Sequence, residues 1–79
     1  MITGAQIRAA RELVKCSAQA LSRASKLDFA TVRRAQIVDG EPSITLANAA
    51  AIRSDLESAG VVFVEESGEV PGVRLRKGK

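Results

Sequence analysis

The chain has no histidine and a single cysteine, and both scarcities narrow its chemistry. Without histidine, acid–base catalysis near neutral pH and the commonest metal sites lose their usual residue. With Cys16 alone, no internal disulfide can form. A thiol placed between an apolar segment and Ser17 more often fills a core than acts as a nucleophile. No glycine-rich phosphate loop and no paired carboxylates suited to a pocket are present, so no enzyme, cofactor or metal site is expected. No apolar run approaches the ~20 residues of a membrane span. The N-terminus lacks the charged-then-apolar pattern of a signal peptide, so a cytoplasmic protein is expected. The 79 residues make one domain (1–79), small enough that oligomerisation is a natural supplement to its core.

What is present is an uneven distribution of charge. The net charge is only +3, yet residues 1–40 hold seven of the twelve basic residues against three acidic ones, Glu12, Asp28 and Asp39. Residues 41–69 hold six acidic residues and one base, Arg53. Basic residues return at Arg74, Arg76, Lys77 and Lys79. The first half therefore carries the positive field that attracts polyanions. The plain alternative is a solvated charged surface.

Hydrophobic periodicity predicts four helices. Thr3 caps the first, which runs to about Lys15 with Ile7, Ala10 and Val14 inward, Leu13 beside them, and Arg8, Arg11 and Lys15 on the other face. Ser17 caps the second, with Leu21 and Ala24 inward and Gln19, Arg23 and Lys26 outward. Ser25-Lys26-Leu27 is a short linker in which Leu27 plugs the corner. Asp28 starts the third helix, its carboxylate favourable at the positive end of the helix dipole. Val32 and Ala35 face the core, followed by Ile37 or Val38, while Thr31 and Arg34 share a free face and Arg33 lies to one side. Asp39-Gly40-Glu41-Pro42 breaks the chain, with Gly40 suited to a left-handed stop. Ser43 or Thr45 caps a fourth helix lined by Leu46, Ala49, Ala50, Ile52, Leu56 and Ala59, and Gly60 ends it.

The pattern then changes period. Val61-Val62-Phe63-Val64 reads as a strand, Glu65 to Gly72 as a turn, and Val73-Arg74-Leu75-Arg76 as a half-exposed strand. The expected fold is thus mainly α, with helices over 3–59 and a C-terminal β-hairpin over 61–76. A lone hairpin is marginal in water. It must pack on the helices or offer its edge to a second copy.

Within this frame SAQALSRASKLDFATVRRAQ, Ser17 to Gln36, stands out as two short helices joined by a tight turn, the second polar and basic. A helix of this kind can enter a DNA major groove. The stretch resembles the helix-turn-helix of the Cro/C1-type (XRE-like) regulators of bacteria and phages. TGAQIRAARELV is similar to the first helix of a compact alphaproteobacterial branch of that family, and AIRSDLESAGVVFVEE with PGVRLRK resembles that branch's helix, glycine stop and hairpin. The resemblance spans nearly the whole chain, and the C-terminal pattern is its more specific part. Cys16 stands where many members carry Trp or Leu, and Ala18 where many carry a phosphate-anchoring Gln. Lys26 replaces a common turn glycine at about 1 kcal/mol, which raises the expectation of a different turn.

The resemblance implies a lambda-repressor-like domain that regulates transcription as a homodimer on an inverted repeat, in the cytoplasm at the nucleoid. The helix 28–38 would lie in the major groove. Arg34 would read guanine O6 and N7, Thr31 a base or a phosphate, and Phe29 and Ala30 only apolar groups such as a thymine methyl. Ser17, Gln19, Arg33, Arg23 and Lys26 would hold phosphates. Val61, Val62, Phe63 and Val64 would form the dimer element, with the fourth helix as support. With no effector domain attached, control would act through dimerisation or a regulatory protein partner. A competing reading is a protein-binding antiactivator or antitoxin-like module that reuses the fold without reading DNA.

Overall fold

A computed structural model describes residues 2–64 and 72–76. It contains helices α1 (Gly4–Val14), α2 (Ala18–Ser25), α3 (Phe29–Gln36) and α4 (Leu46–Ser58), then strands β1 (Val61–Val64) and β2 (Gly72–Leu75). The protein is thus mainly helical with a small antiparallel sheet, as the periodicity predicts. Among the described residues no helix is long and apolar enough to cross a membrane.

All four helices begin at an N-cap residue that the residue pattern indicates, and three of these make a side-chain cap bond. The Thr3 hydroxyl accepts from the Gln6 amide at 3.1 Å while Gln6 Oε1 accepts from the Thr3 amide at 2.8 Å, a reciprocal capping box. Ser17 Oγ accepts from Ala20 N–H, and Thr45 Oγ1 from Asn48 N–H, each at 3.0 Å. Asp28 occupies the N-cap of α3 but makes no side-chain cap bond. Gly60, at φ 110°, stops α4 in a conformation that L side chains rarely adopt.

One core joins the helices and the sheet: Ile2, Ile7, Ala10, Leu21, Val32, Ala35, Ile52, Leu56, Val61 and Phe63, with Val14, Cys16, Leu27, Ile44 and Val73 packed against it. Gln6 is buried at the junction of α1 with the sheet. Its Nε2 donates to Gly72 O at 3.0 Å and Val64 O at 3.4 Å, so the residue that caps α1 also fastens the mouth of the strand pair. The register pairs Val61 with Leu75 and Phe63 with Val73; Val61, Phe63 and Val73 pack on the core, while Leu75 at the end of that face is exposed. Val61 and Phe63 are consequently buried in their own chain's core. Of the four residues expected at a dimer interface, only Val62 and Val64 keep side-chain surface, together with the strand's backbone edge.

Other expectations need correction. Ala24 is exposed, while its neighbour Ser25 is half-buried and donates its hydroxyl to Leu21 O at 2.7 Å. Leu46 (73 % exposed), Ala50 and Ala59 lie outside the core that Ala49, Ile52 and Leu56 line. The third helix is shorter than 28–38: Asp28 is its N-cap, Ile37 its C-cap, and Val38 lies beyond it. Ile37 is 67 % exposed and does not extend the core contact. The chain leaves α3 early because its next carbonyls serve α1, Asp39 O and Gly40 O accepting from the Ala5 and Gly4 amides. Gly40 is therefore not a left-handed stop, and Gly60 is the one glycine with positive φ among the described residues. The turn expected from Glu65 to Gly72 lies, apart from Gly72, outside the described residues, as do Lys77 and Lys79.

Candidate nucleic-acid interface

α2 and α3 are joined by the turn Lys26-Leu27-Asp28. Lys26 sits at φ 62°, in the left-handed region that favours glycine. Lys26 N–H donates to Arg23 O at 3.3 Å, Leu27 N–H to Ser22 O at 3.1 Å, and the Ser22 hydroxyl to Leu27 O. Leu27 meanwhile packs against the core. These contacts hold a lysine in a glycine-like geometry, so the altered turn expected at this position is not found.

Val32 and Ala35 bury one side of α3 completely. The other side presents Phe29 (42 % exposed), Ala30, Arg33 and Arg34 to solvent, with Thr31 half-buried at the margin. Helical spacing places Phe29 one turn before Arg33 and Ala30 one turn before Arg34. Each guanidinium thus has an apolar neighbour on its N-terminal side. Thr31 and Arg34 also share a face at i, i+3, as expected, but Thr31 projects less freely.

The far end of α3 is held by α1. The Arg8 guanidinium donates to Gln36 O and to Val38 O (3.2 Å), and pairs with Asp39 at 2.6 Å. Arg11 Nε donates to Gln36 Oε1 at 2.9 Å, and its Nη1 to Cys16 O at 3.0 Å. Cations are favourable at a helix C-terminus, where carbonyls lack partners. The approach is close: a Cβ on Gly4 would lie 1.9 Å from Val38 O and 2.8 Å from Ala35 O, so only glycine fits there. Arg53 is engaged elsewhere, pairing with Glu57 at 2.9 Å and lying 5.2 Å from the centroid of the Phe63 ring.

Arg23, Lys26, Arg33 and Arg34 differ from these three arginines. They are exposed and, among the described residues, make no side-chain hydrogen bond or ion pair. Gln19 is exposed at the start of α2, beside Ser17, whose cap leaves its hydroxyl proton available as a donor. No protein-family model and no curated protein matches this chain. The chemistry therefore rests on the side chains. An unpaired guanidinium presents a planar fork of donors that matches a phosphate or the O6/N7 edge of guanine. Partial burial pushes the Cys16 thiol pKa up, Asp55 adds to that, and Arg11 offsets part of it. The thiolate is correspondingly scarce near neutral pH.

Gly4, Arg8 and Arg11 position this face, and none of them is marked as a site residue by local pattern. The Thr3-x-x-Gln6 spacing of the capping box is legible in advance. The contacts from Arg8 and Arg11 to Gln36 cross 28 and 25 positions and carry no local signal.

Proposed function

We propose that this chain is a sequence-specific DNA-binding transcriptional regulator, a lambda-repressor-like helix-turn-helix domain of the Cro/C1 type acting in the cytoplasm. In this reading α3 enters the major groove, Arg34 reads guanine, Thr31 touches its margin, and Ser17, Gln19, Arg23, Lys26 and Arg33 hold phosphates. The observation that carries it is the face of α3: adjacent arginines that no carboxylate neutralises among the described residues, on a helix whose opposite side is fully buried. A solvated surface made only for solubility would gain as much from cations paired with the acids of the second half.

A single helix covers few base pairs, so a homodimer on an inverted repeat supplies the specificity, with half-sites about one helical turn apart. The edge of β1 with Val62 and Val64, supported by α4, is the surface assigned to the second copy. The role needs no cofactor, metal or catalytic group. The test is selection of genomic DNA fragments by the purified protein, sequenced after several rounds. Enrichment of a palindromic motif is the expected result. Failure to enrich any sequence, at protein concentrations where the fold is intact, overturns DNA reading and leaves the protein-binding module.

A further inference from the structure

We infer that the groove between α1 and the outer edge of β2 binds an extended peptide segment of a partner protein, one that alternates apolar and acidic residues. None of the groove's walls comes from α2 or α3, so the site is separate from the face proposed for DNA. A two-stranded sheet has an outer edge on each strand. Arg76 N–H donates to Gly60 O at 2.7 Å, which fixes the phase of the ladder. Bonds between the strands therefore run through Val62 with Arg74 and Val64 with Gly72, and the N–H and C=O groups of Val73 and Leu75 point away from β1. Among the described residues nothing pairs with that edge. Beside it lies an open groove of about 530 Å³, lined by Ala5, Ala9, Leu13 and Val73 and touched by Arg8, Arg11 and Glu12.

A strand added to β2 would share its pleat. Residues beside Val73 and Leu75 would turn their side chains toward α1, into the groove. The residues between them would turn to the outer face, beside Arg74 and Arg76. Both arginines are exposed and have no hydrogen-bond or ion-pair partner among the described residues. Arg8 and Arg11 outweigh Glu12 in the groove itself, so its surroundings are basic. Apolar side chains in the groove and acidic ones on the arginines complete the complementarity. A second copy fits this edge badly. Pairing β2 with β2 in one continuous sheet, with the helices on one side, would line up the arginines of both copies on the other. Edge charges can serve only to keep copies apart, but that role needs no groove beside them.

The experiment pans a displayed library of short random peptides against the immobilised full chain, then measures the enriched peptide in solution by fluorescence anisotropy. The expected consensus alternates apolar and acidic residues. Ala9→Arg, at an exposed position of α1, fills the groove and denies burial to one apolar side chain, a loss of about tenfold or more in affinity. Arg74→Glu combined with Arg76→Glu should shift the preferred peptide from acidic to basic. N-methylation of the peptide at alternate residues should abolish binding, because it removes the donors to the Val73 and Leu75 carbonyls. Circular dichroism checks the fold of both variants. Enrichment of no peptide over the bare support, a consensus without the alternation, or wild-type affinity for the peptide in either variant overturns the inference. So does a dimer of the free chain in analytical ultracentrifugation that Ala9→Arg dissociates, which would give the groove to a second copy.

Discussion

The arginines of α1 and those of α3 are alike in chemistry and opposite in use. Arg8 and Arg11 close on the backbone and side chain of Gln36, on Val38 and Cys16 carbonyls, and on Asp39. Arg33 and Arg34, on the helix thus held, are bound to nothing among the described residues. A guanidinium that bonds internal carbonyls orders the chain, and one left in solvent keeps its donors for a partner. Counting positive charge in the first half of the chain does not separate these roles, because both helices contribute to the same field. The division follows from whether a helix terminus or carboxylate lies within reach.

Breaking the support should be more damaging to the fold than stripping the free face. Gly4→Ala forces a Cβ into Val38 O, and the helix–linker contact must separate. A loss of about 2–3 kcal/mol is expected, read as a lower denaturant midpoint in chemical unfolding. Arg8→Ala removes bonds to two backbone carbonyls and should lower stability by about 1 kcal/mol. Its exposed pair with Asp39 adds little to that sum. Arg33→Ala, by contrast, should leave the unfolding free energy within about 0.5 kcal/mol of wild type and reduce the salt dependence of DNA binding. If Arg8→Ala and Arg33→Ala lose stability equally, the distinction between holding and reading arginines is wrong.

Lys26 sharpens the comparison, because it belongs to both classes. Its backbone is strained at φ 62° while its side chain has no ion-pair or hydrogen-bond partner among the described residues. Lys26→Gly should raise stability by about 0.5–1 kcal/mol and at the same time weaken DNA binding without regard to sequence. Thermal unfolding and binding titration on the same sample check the opposite signs.

Much of the fold is legible in advance, for identifiable reasons. Ser17, Thr45 and Gly60 act within one helical turn, so local spacing reveals them. Ile7, Val32 and Ile52 follow the 3.6-residue period that burial imposes. What local pattern misses is set by distant neighbours. α3 ends at Gln36 because the next carbonyls cap α1, a contact that no residue near Val38 announces. Leu46 and Ala24 look like core residues in a helical period but face the wrong way, since an alanine-rich helix offers several equivalent apolar stripes. For Val61 and Phe63 a strand's period shows only that they share a face, not that the helices cover it. The candidate site divides in the same way. Arg33 and Arg34 stand out as basic residues on a short helix, whereas Arg8 and Arg11 enter only through contacts that close across the chain.

The central claim, that α3 presents Arg34 to a base edge, is tested most directly by titrating Arg34→Ala against the selected operator and a scrambled duplex at one salt concentration. The expected result is a loss of about 1–3 kcal/mol on the operator, relaxed specificity at one base pair, and nearly unchanged affinity for the scrambled duplex. Equal loss on both duplexes would contradict the claim and place Arg34 on the phosphate backbone.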